Sequence, residues 1–136
     1  MGDTIDYGNT EILEIADGLA ALDGVSSEAG KIVRFKFKPG VVWDVAKDRR
    51  IFDHAAETVQ KAFKSLAAQS GIVEGMKVTP ENAAAVAKFV ADKEEILARR
   101  QELAGVLKIN LADLQENENQ IPPGVLAHLF PILREK

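Results

Sequence analysis

Residues 41–70 read VVWDVAKDRRIFDHAAETVQKAFKSLAAQS, a stretch with neither proline nor glycine. Val45, Phe52, Val59 and Leu66 recur at intervals of seven, with Ala56 and Phe63 beside them. Apolar side chains on that period share one face of a helix, so the stretch predicts a single long helix with a coiled-coil-like stripe. Asp44/Lys47 and Glu57/Lys61 fall on its outer face, where each pair adds about 0.2–0.5 kcal/mol.

On the C-terminal side, Gly71 and Gly75 bracket a turn. Thr79-Pro80 then starts a second helix, with Thr79 as cap and Pro80 at the first helical position, where a missing N–H costs nothing. This helix is expected to run to about Ala104, with Val86, Phe89, Val90, Ile96, Leu97 and Leu103 inward and Glu95/Arg99 outward. Two long helices joined by a short turn pack antiparallel. After Gly105, residues 106–111 alternate with Leu107, Ile109 and Leu111 on one face, which predicts a strand.

On the N-terminal side, residues 31–38 (KIVRFKFK) alternate more clearly, with Val33, Phe35 and Phe37 on one face and cations on the other, up to Pro39-Gly40. The two strands are placed to pair antiparallel across the open end of the hairpin, packed on it because an isolated two-stranded ribbon is marginal in water. Ahead of a loop over 25–30, Asn9 and Thr10 offer cap oxygens to an amphipathic helix carrying Ile12, Ile15, Leu19 and Leu22. At the other end, the polar run 115–120 is a loop. Pro122-Pro123 opens a last helix through Val125, Leu126, Leu129 and Phe130, bent or ended at Pro131. The expectation is a single domain over 1–136 of mostly α (α+β) class: a long antiparallel helical hairpin, a small two-stranded antiparallel ribbon and two short terminal helices. The order has an approximate mirror symmetry about the turn without a residue-level repeat.

Composition agrees with one globular domain: 136 residues, 46% hydrophobic and 28% charged. No apolar run approaches the roughly 20 residues that span a bilayer, and Met1-Gly2-Asp3 is unlike a secretory leader, so a cytoplasmic location and no membrane partner are expected. The chain contains no cysteine, which excludes disulfides, thiolate catalysis and cysteine-held metals. The net charge of −4 hides a strong segregation. Residues 1–30 hold seven carboxylates (Asp3, Asp6, Glu11, Glu14, Asp17, Asp23, Glu28) and no Lys or Arg. Residues 31–50 hold seven cations against Asp44 and Asp48. Either the two segments neighbour each other within the fold, or one copy's acidic arm meets another molecule's basic segment.

No constellation carries chemistry. His54 and His128 are the only histidines, and neither has an acidic residue four positions away in the pattern of a metal-binding helix. Adjacent Asp53 and His54 point about 100° apart on a helix, as do Glu94 and Glu95, so neither pair is a relay. His54 is expected at the surface and His128 partly buried among Leu126, Leu129 and Phe130. The glycines form no phosphate-binding loop, and no serine occupies a nucleophile elbow. The expectation is a non-enzyme with no catalytic residues, metal or cofactor.

What remains is surface. Arg34, Lys36, Lys38, Arg49 and Arg50 form a candidate charged contact surface. Its use on nucleic acid is disfavoured by the acidic total and the lack of outward aromatics. Trp43, the lone tryptophan, either fills the corner where strand meets helix or anchors a partner interface. The apolar end carrying Leu126, Leu129 and Phe130 either folds back over the hairpin or docks on a neighbouring subunit.

Taken together, Leu19 to Leu22 with Asp23-Gly24, an alternating strand ending near Phe37, Val42-Trp43-Asp44-Val45-Ala46-Lys47 opening a long helix, and Ile121-Pro122-Pro123 with Leu126 and Leu129 resemble a family. The family comprises small uncharacterised proteins of tailed phages and prophages, whose second helix is more charged than this alanine-rich one. The resemblance implies a phage setting with a structural, assembly or accessory role, in the host cytoplasm or incorporated in the virion, and transfers no active-site residue. The expected partner is a second copy of the chain, as a homo-oligomer, or another phage or host protein. The first alternative is an inhibitor or adaptor whose acidic first helix contacts a basic host protein; a nucleic-acid-binding module is the weaker one.

Overall fold

A computed structural model describes residues 4–26, 30–72, 75–116 and 119–134. Asp3 and Glu28 of the acidic segment, residues 73–74 of the expected turn, and 117–118 of the polar loop lie outside them. The order is β1 (Thr4–Gly8), α1 (Asn9–Ala21), β2 (Val25–Ser26), β3 (Ile32–Val33), α2 (Pro39–Ser70), α3 (Ala83–Ala98), β4 (Arg100–Ala104), β5 (Ile109–Asn110), α4 (Leu111–Leu114), α5 (Pro123–Leu129), a 3-10 turn (Phe130–Ile132) and β6 (Leu133–Arg134). The mostly helical α+β class holds, with α2 and α3 as the hairpin.

Helix α2 begins two residues earlier than its uninterrupted stretch, because Pro39 occupies the first helical position after an extended Lys38. It ends where Gly71 takes the left-handed conformation (φ 72°), its N–H bonded to the Ala67 carbonyl. Its 32 residues span about 48 Å. Only the first two thirds of that length is buried: Val41, Val45, Asp48, Phe52, Ala55, Ala56 and Val59 face the core, and no residue of the helix beyond Val59 does. Against them pack Ile12, Ile15, Ala16 and Leu19 of α1 and the ring of Tyr7, edge-on to Phe52 at 5.3 Å. Helix α3 has no buried residue. The molecule is thus a packed head with a two-helix arm, seamed by half-buried Phe63, Leu66 and Phe89, where the Lys93 ammonium lies 4.7 Å from the Phe63 ring centre and 5.6 Å from that of Phe89.

The ribbons differ from expectation. Residues 99–104 do not continue the second helix. They leave it at Arg99 (φ −72°, ψ 158°) and pair antiparallel with β1, from Thr4↔Ala104 to Gly8↔Arg100. The run LARRQELA has good helical propensity, and tertiary bonds override it. The Arg100 guanidinium reaches the Asp6 carboxylate at 3.0 Å and its carbonyl at 2.8 Å. The strand expected over 31–38 reduces to β3, paired with β2, and exposed Val33 does not face the core. Phe35 and Phe37 do turn inward, half-buried. The strand expected over 106–111 is only β5, which pairs parallel with β6, while α4 takes up from Leu111. Leu107 is drawn instead to Asp48, whose Oδ1 accepts its N–H at 2.7 Å.

The start of α1 also differs. Gly8 is the cap residue, and Glu11 reaches back to accept its N–H at 3.0 Å. Asn9, 5% exposed, binds elsewhere. Its backbone N–H donates to the Arg99 carbonyl (2.9 Å) and its amide to the Ile96 carbonyl (2.7 Å), while its side-chain oxygen accepts from Gln101 (2.8 Å). Asn9 therefore closes the end of α3 and the start of β4 at once. Thr79 and Pro80 do not start the helix: the Thr79 hydroxyl accepts the Asn82 N–H at 3.3 Å across a turn over 80–82, and the helix begins at Ala83 with Asn82 as its cap residue.

The C-terminal segment folds back. Helix α5 lies on α1, with Leu129 and Ile132 fully buried. Gly18 makes the approach close enough that a Cβ there would meet Leu129 Cδ2 at 2.9 Å.

Two substitutions probe these contacts by urea denaturation. Asn9→Ala leaves the Ile96 carbonyl and the Gln101 amide short of a partner and is expected to cost about 1–3 kcal/mol. Gly18→Ala gains about 1 kcal/mol of helix propensity but overpacks Leu129 at roughly 1–3 kcal/mol, so a net loss is expected. A more stable Gly18→Ala would mean that α5 is not held against α1.

Candidate functional site

The five cations separate into two groups. Lys38 turns to α4, with its ammonium 3.0 Å from Glu116 and 3.8 Å from Asp113; the Glu116 hydrogen bond is the main cause of its raised pKa. Lys36 is exposed, and its backbone is held on both sides by the Asn119 amide, with Lys36 N–H to Oδ1 at 2.9 Å and Nδ2 to the Lys36 carbonyl at 2.7 Å. Arg34, Arg49 and Arg50 come together on a groove of about 520 Å³ between the first half of α2, the end of α1 and residues 34–37. Arg49 pairs there with Asp23 and, at 3.6 Å, with Asp53. The acidic and basic segments thus neighbour each other at this point. Arg34 and Arg50 have no anionic partner among the described residues.

The apolar candidates also divide. Trp43 stands 66% exposed on the first turn of α2, beside exposed Val42, and does not fill the corner between strand and helix. Phe130 is 73% exposed at the end of α5. Leu126 is half-buried, and Leu129 is spent inside the chain, out of reach of any partner. His54 lies at the surface, and His128, expected partly buried, is exposed as well, although its Cβ stands beside Gly18 of α1 next to Leu129. Glu94 and Glu95 are exposed on α3. Among the described residues no three His, Asp or Glu side chains gather in a way that could hold a metal, and no helix is long and apolar enough to cross a membrane.

Sequence reasoning missed a buried carboxylate. Asp48 is fully enclosed, its Oδ1 on the Leu107 N–H and its Oδ2 without a hydrogen-bond partner among the described residues. The signal was present, because 41, 45, 48 and 52 continue one helical stripe and an aspartate on it must enter the core. Desolvation pushes its pKa up to about 6, with a further push from Asp44; the Leu107 N–H, Lys108 and Lys47 oppose it. The Tyr7 hydroxyl is likewise buried without a partner, and its pKa is raised by burial and then by the Asp48 charge.

This carboxyl makes stability depend on pH. Between about pH 4 and 6 the folded chain keeps a proton that the unfolded chain has released, so stability falls as pH rises through that window. Asp48→Asn keeps the acceptor for Leu107 without the charge. It is expected to be more stable at pH 7 by on the order of 1–3 kcal/mol and to flatten the profile between pH 4 and 6, read by thermal melts across the range. No family model, curated protein or solved structure matches the chain, so its surfaces are interpreted through their own chemistry.

Proposed function

We propose that the protein is a non-enzymatic interaction protein that works by assembly, in the phage setting that its sequence layout resembles. The observation that carries this reading is the exposure of two large aromatic side chains, the tryptophan at 66% and Phe130 at 73%, joined by Val42 at 53%. An indole in water wastes one of the strongest anchors available to an interface, where tryptophan is enriched at energetic centres. The arm supports the same reading, because two helices alone leave Phe63, Leu66 and Phe89 half covered and Val90 49% exposed. The partner in this reading is a second copy, and the place is the host cytoplasm or the virion.

A second reading has its own observation. Glu14 and Asp17 on the outer face of α1 are exposed and have no cationic partner among the described residues, a surface suited to a basic protein. It makes the chain an inhibitor or adaptor that binds a host protein as a monomer.

Light scattering at low and high salt separates the two. Self-assembly is expected to give a defined oligomer that persists at high salt, since its contacts are apolar. Trp43→Ala combined with Phe130→Ala, both exposed and so compatible with an unchanged circular dichroism spectrum, is expected to yield a monomer. The emission of the single tryptophan should shift to the blue as the native chain is concentrated. A monomer under every condition overturns assembly in favour of the host-protein reading.

A further inference from the structure

We propose that the groove between α2 and residues 34–37 is a docking site for an extended acidic peptide of a partner protein, which adds as a strand along the free edge of that segment. The first observation is a strand without a neighbour. Residues 34–38 run without turn or bend and alternate exposed and half-buried, yet only Ile32–Val33 enters a ladder. One edge is occupied where the Asn119 amide bonds both the N–H and the carbonyl of Lys36, as a neighbouring strand would. Successive residues of an extended chain present their backbone groups to opposite edges. Those of Phe35 and Phe37 therefore face the other edge, and neither residue makes a backbone hydrogen bond among the described residues. Such an edge is a template for strand addition.

The second observation is the chemistry beside that edge. Phe35, Phe37, Val42 and Val45 wall the groove, whose volume of about 520 Å³ takes one or two large apolar side chains. Arg49 is neutralised by Asp23 and Asp53, whereas Arg34 and Arg50 on the rim have no anionic partner among the described residues. The occupant these features fit is a peptide in which apolar and acidic residues alternate. Its apolar side chains enter the groove on the phenylalanine face, its carboxylates meet the two arginines, and its backbone bonds to Phe35 and Phe37. Opposite charges across paired strands favour this choice, and a basic peptide would be repelled. The site shares Val42 with the proposed assembly surface, and its test leaves Trp43 and Phe130 untouched.

The test is fluorescence anisotropy with a fluorescein-labelled peptide alternating Glu and Val around a central Phe. Three losses are expected, each of about tenfold or more in affinity: on replacing Glu by Lys, on N-methylating the amides of one peptide edge, and on Arg34→Glu with Arg50→Glu in the protein. Both arginines are exposed, and circular dichroism checks that the variant remains folded. Amide exchange at Phe35 and Phe37 is expected to slow when the acidic peptide is bound. Equal binding of the N-methylated peptide overturns strand addition. No binding of the acidic peptide, or binding unchanged in the arginine variant, overturns the site. Binding of laurate alone would assign the groove to a small amphiphile and overturn the peptide.

Discussion

The structure turns on buried Asn9, through its backbone N–H as well as its side chain. At one point it joins the end of α3, the first residues of β4 and the start of α1, through bonds to Ile96, Arg99 and Gln101. Gln101 in turn donates to the Ala55 carbonyl of α2 at 3.3 Å. Helix ends leave carbonyls without partners, and burying them requires donors from elsewhere. Here a donor comes from a residue 87 positions away in sequence, so the start of α1 cannot separate from the end of α3 without exposing that end. The β1–β4 ribbon accompanies this closure, because once Arg99 leaves the helix residues 100–104 run alongside the strand that leads into Asn9 and pair with it.

Burial is unevenly shared as a result. The residues that pack α1, α5 and the first two thirds of α2 lie at one end, with Phe52, Ile12, Ile15, Leu19, Leu129 and Ile132 at or near zero exposure. The last third of α2 and all of α3 form an arm held by half-buried side chains and by the Lys93 ammonium over two aromatic rings, an interaction worth roughly 0.5–1 kcal/mol at an exposed site. Local opening is therefore cheaper in the arm than in the head. The head carries its own strain in Asp48, a charge enclosed with one hydrogen bond, and the retained carboxylate ties α2 to residue 107.

The charge segregation of the sequence is partly resolved inside the fold, through Asp23 on Arg49 and Asp6 on Arg100. What is left over is organised. Arg34 and Arg50 flank an apolar groove, Glu14 and Asp17 face outward from α1, and Trp43 and Phe130 stand in water. A chain that leaves its tryptophan and Phe130 in water while Phe52, Ile12, Ile15 and Leu19 are fully enclosed presents surfaces suited to partners.

Much of the helical architecture was legible in the sequence alone. The seven-residue spacing of Val45, Phe52 and Val59, the Pro123 start and the Gly71 stop are local signals that act within a few residues, whereas Pro39, read as the end of a strand, opens α2, and the helix expected from Thr79 begins only at Ala83. The inward alternation of Phe35 and Phe37 was local too, as was the place of Asp48 on the stripe. The strand pairings were not, since residues 99–104 have helical propensity and become a strand only because Asp6, Asn9 and Ala55 lie beside them. The two cations on the groove, the burial of Leu129 beneath Gly18 and the solitary edge at Phe35 and Phe37 likewise depend on which distant segments meet. Propensity and period act over a few residues and so determine elements, whereas partners for buried carbonyls and free edges are chosen by packing across the whole chain.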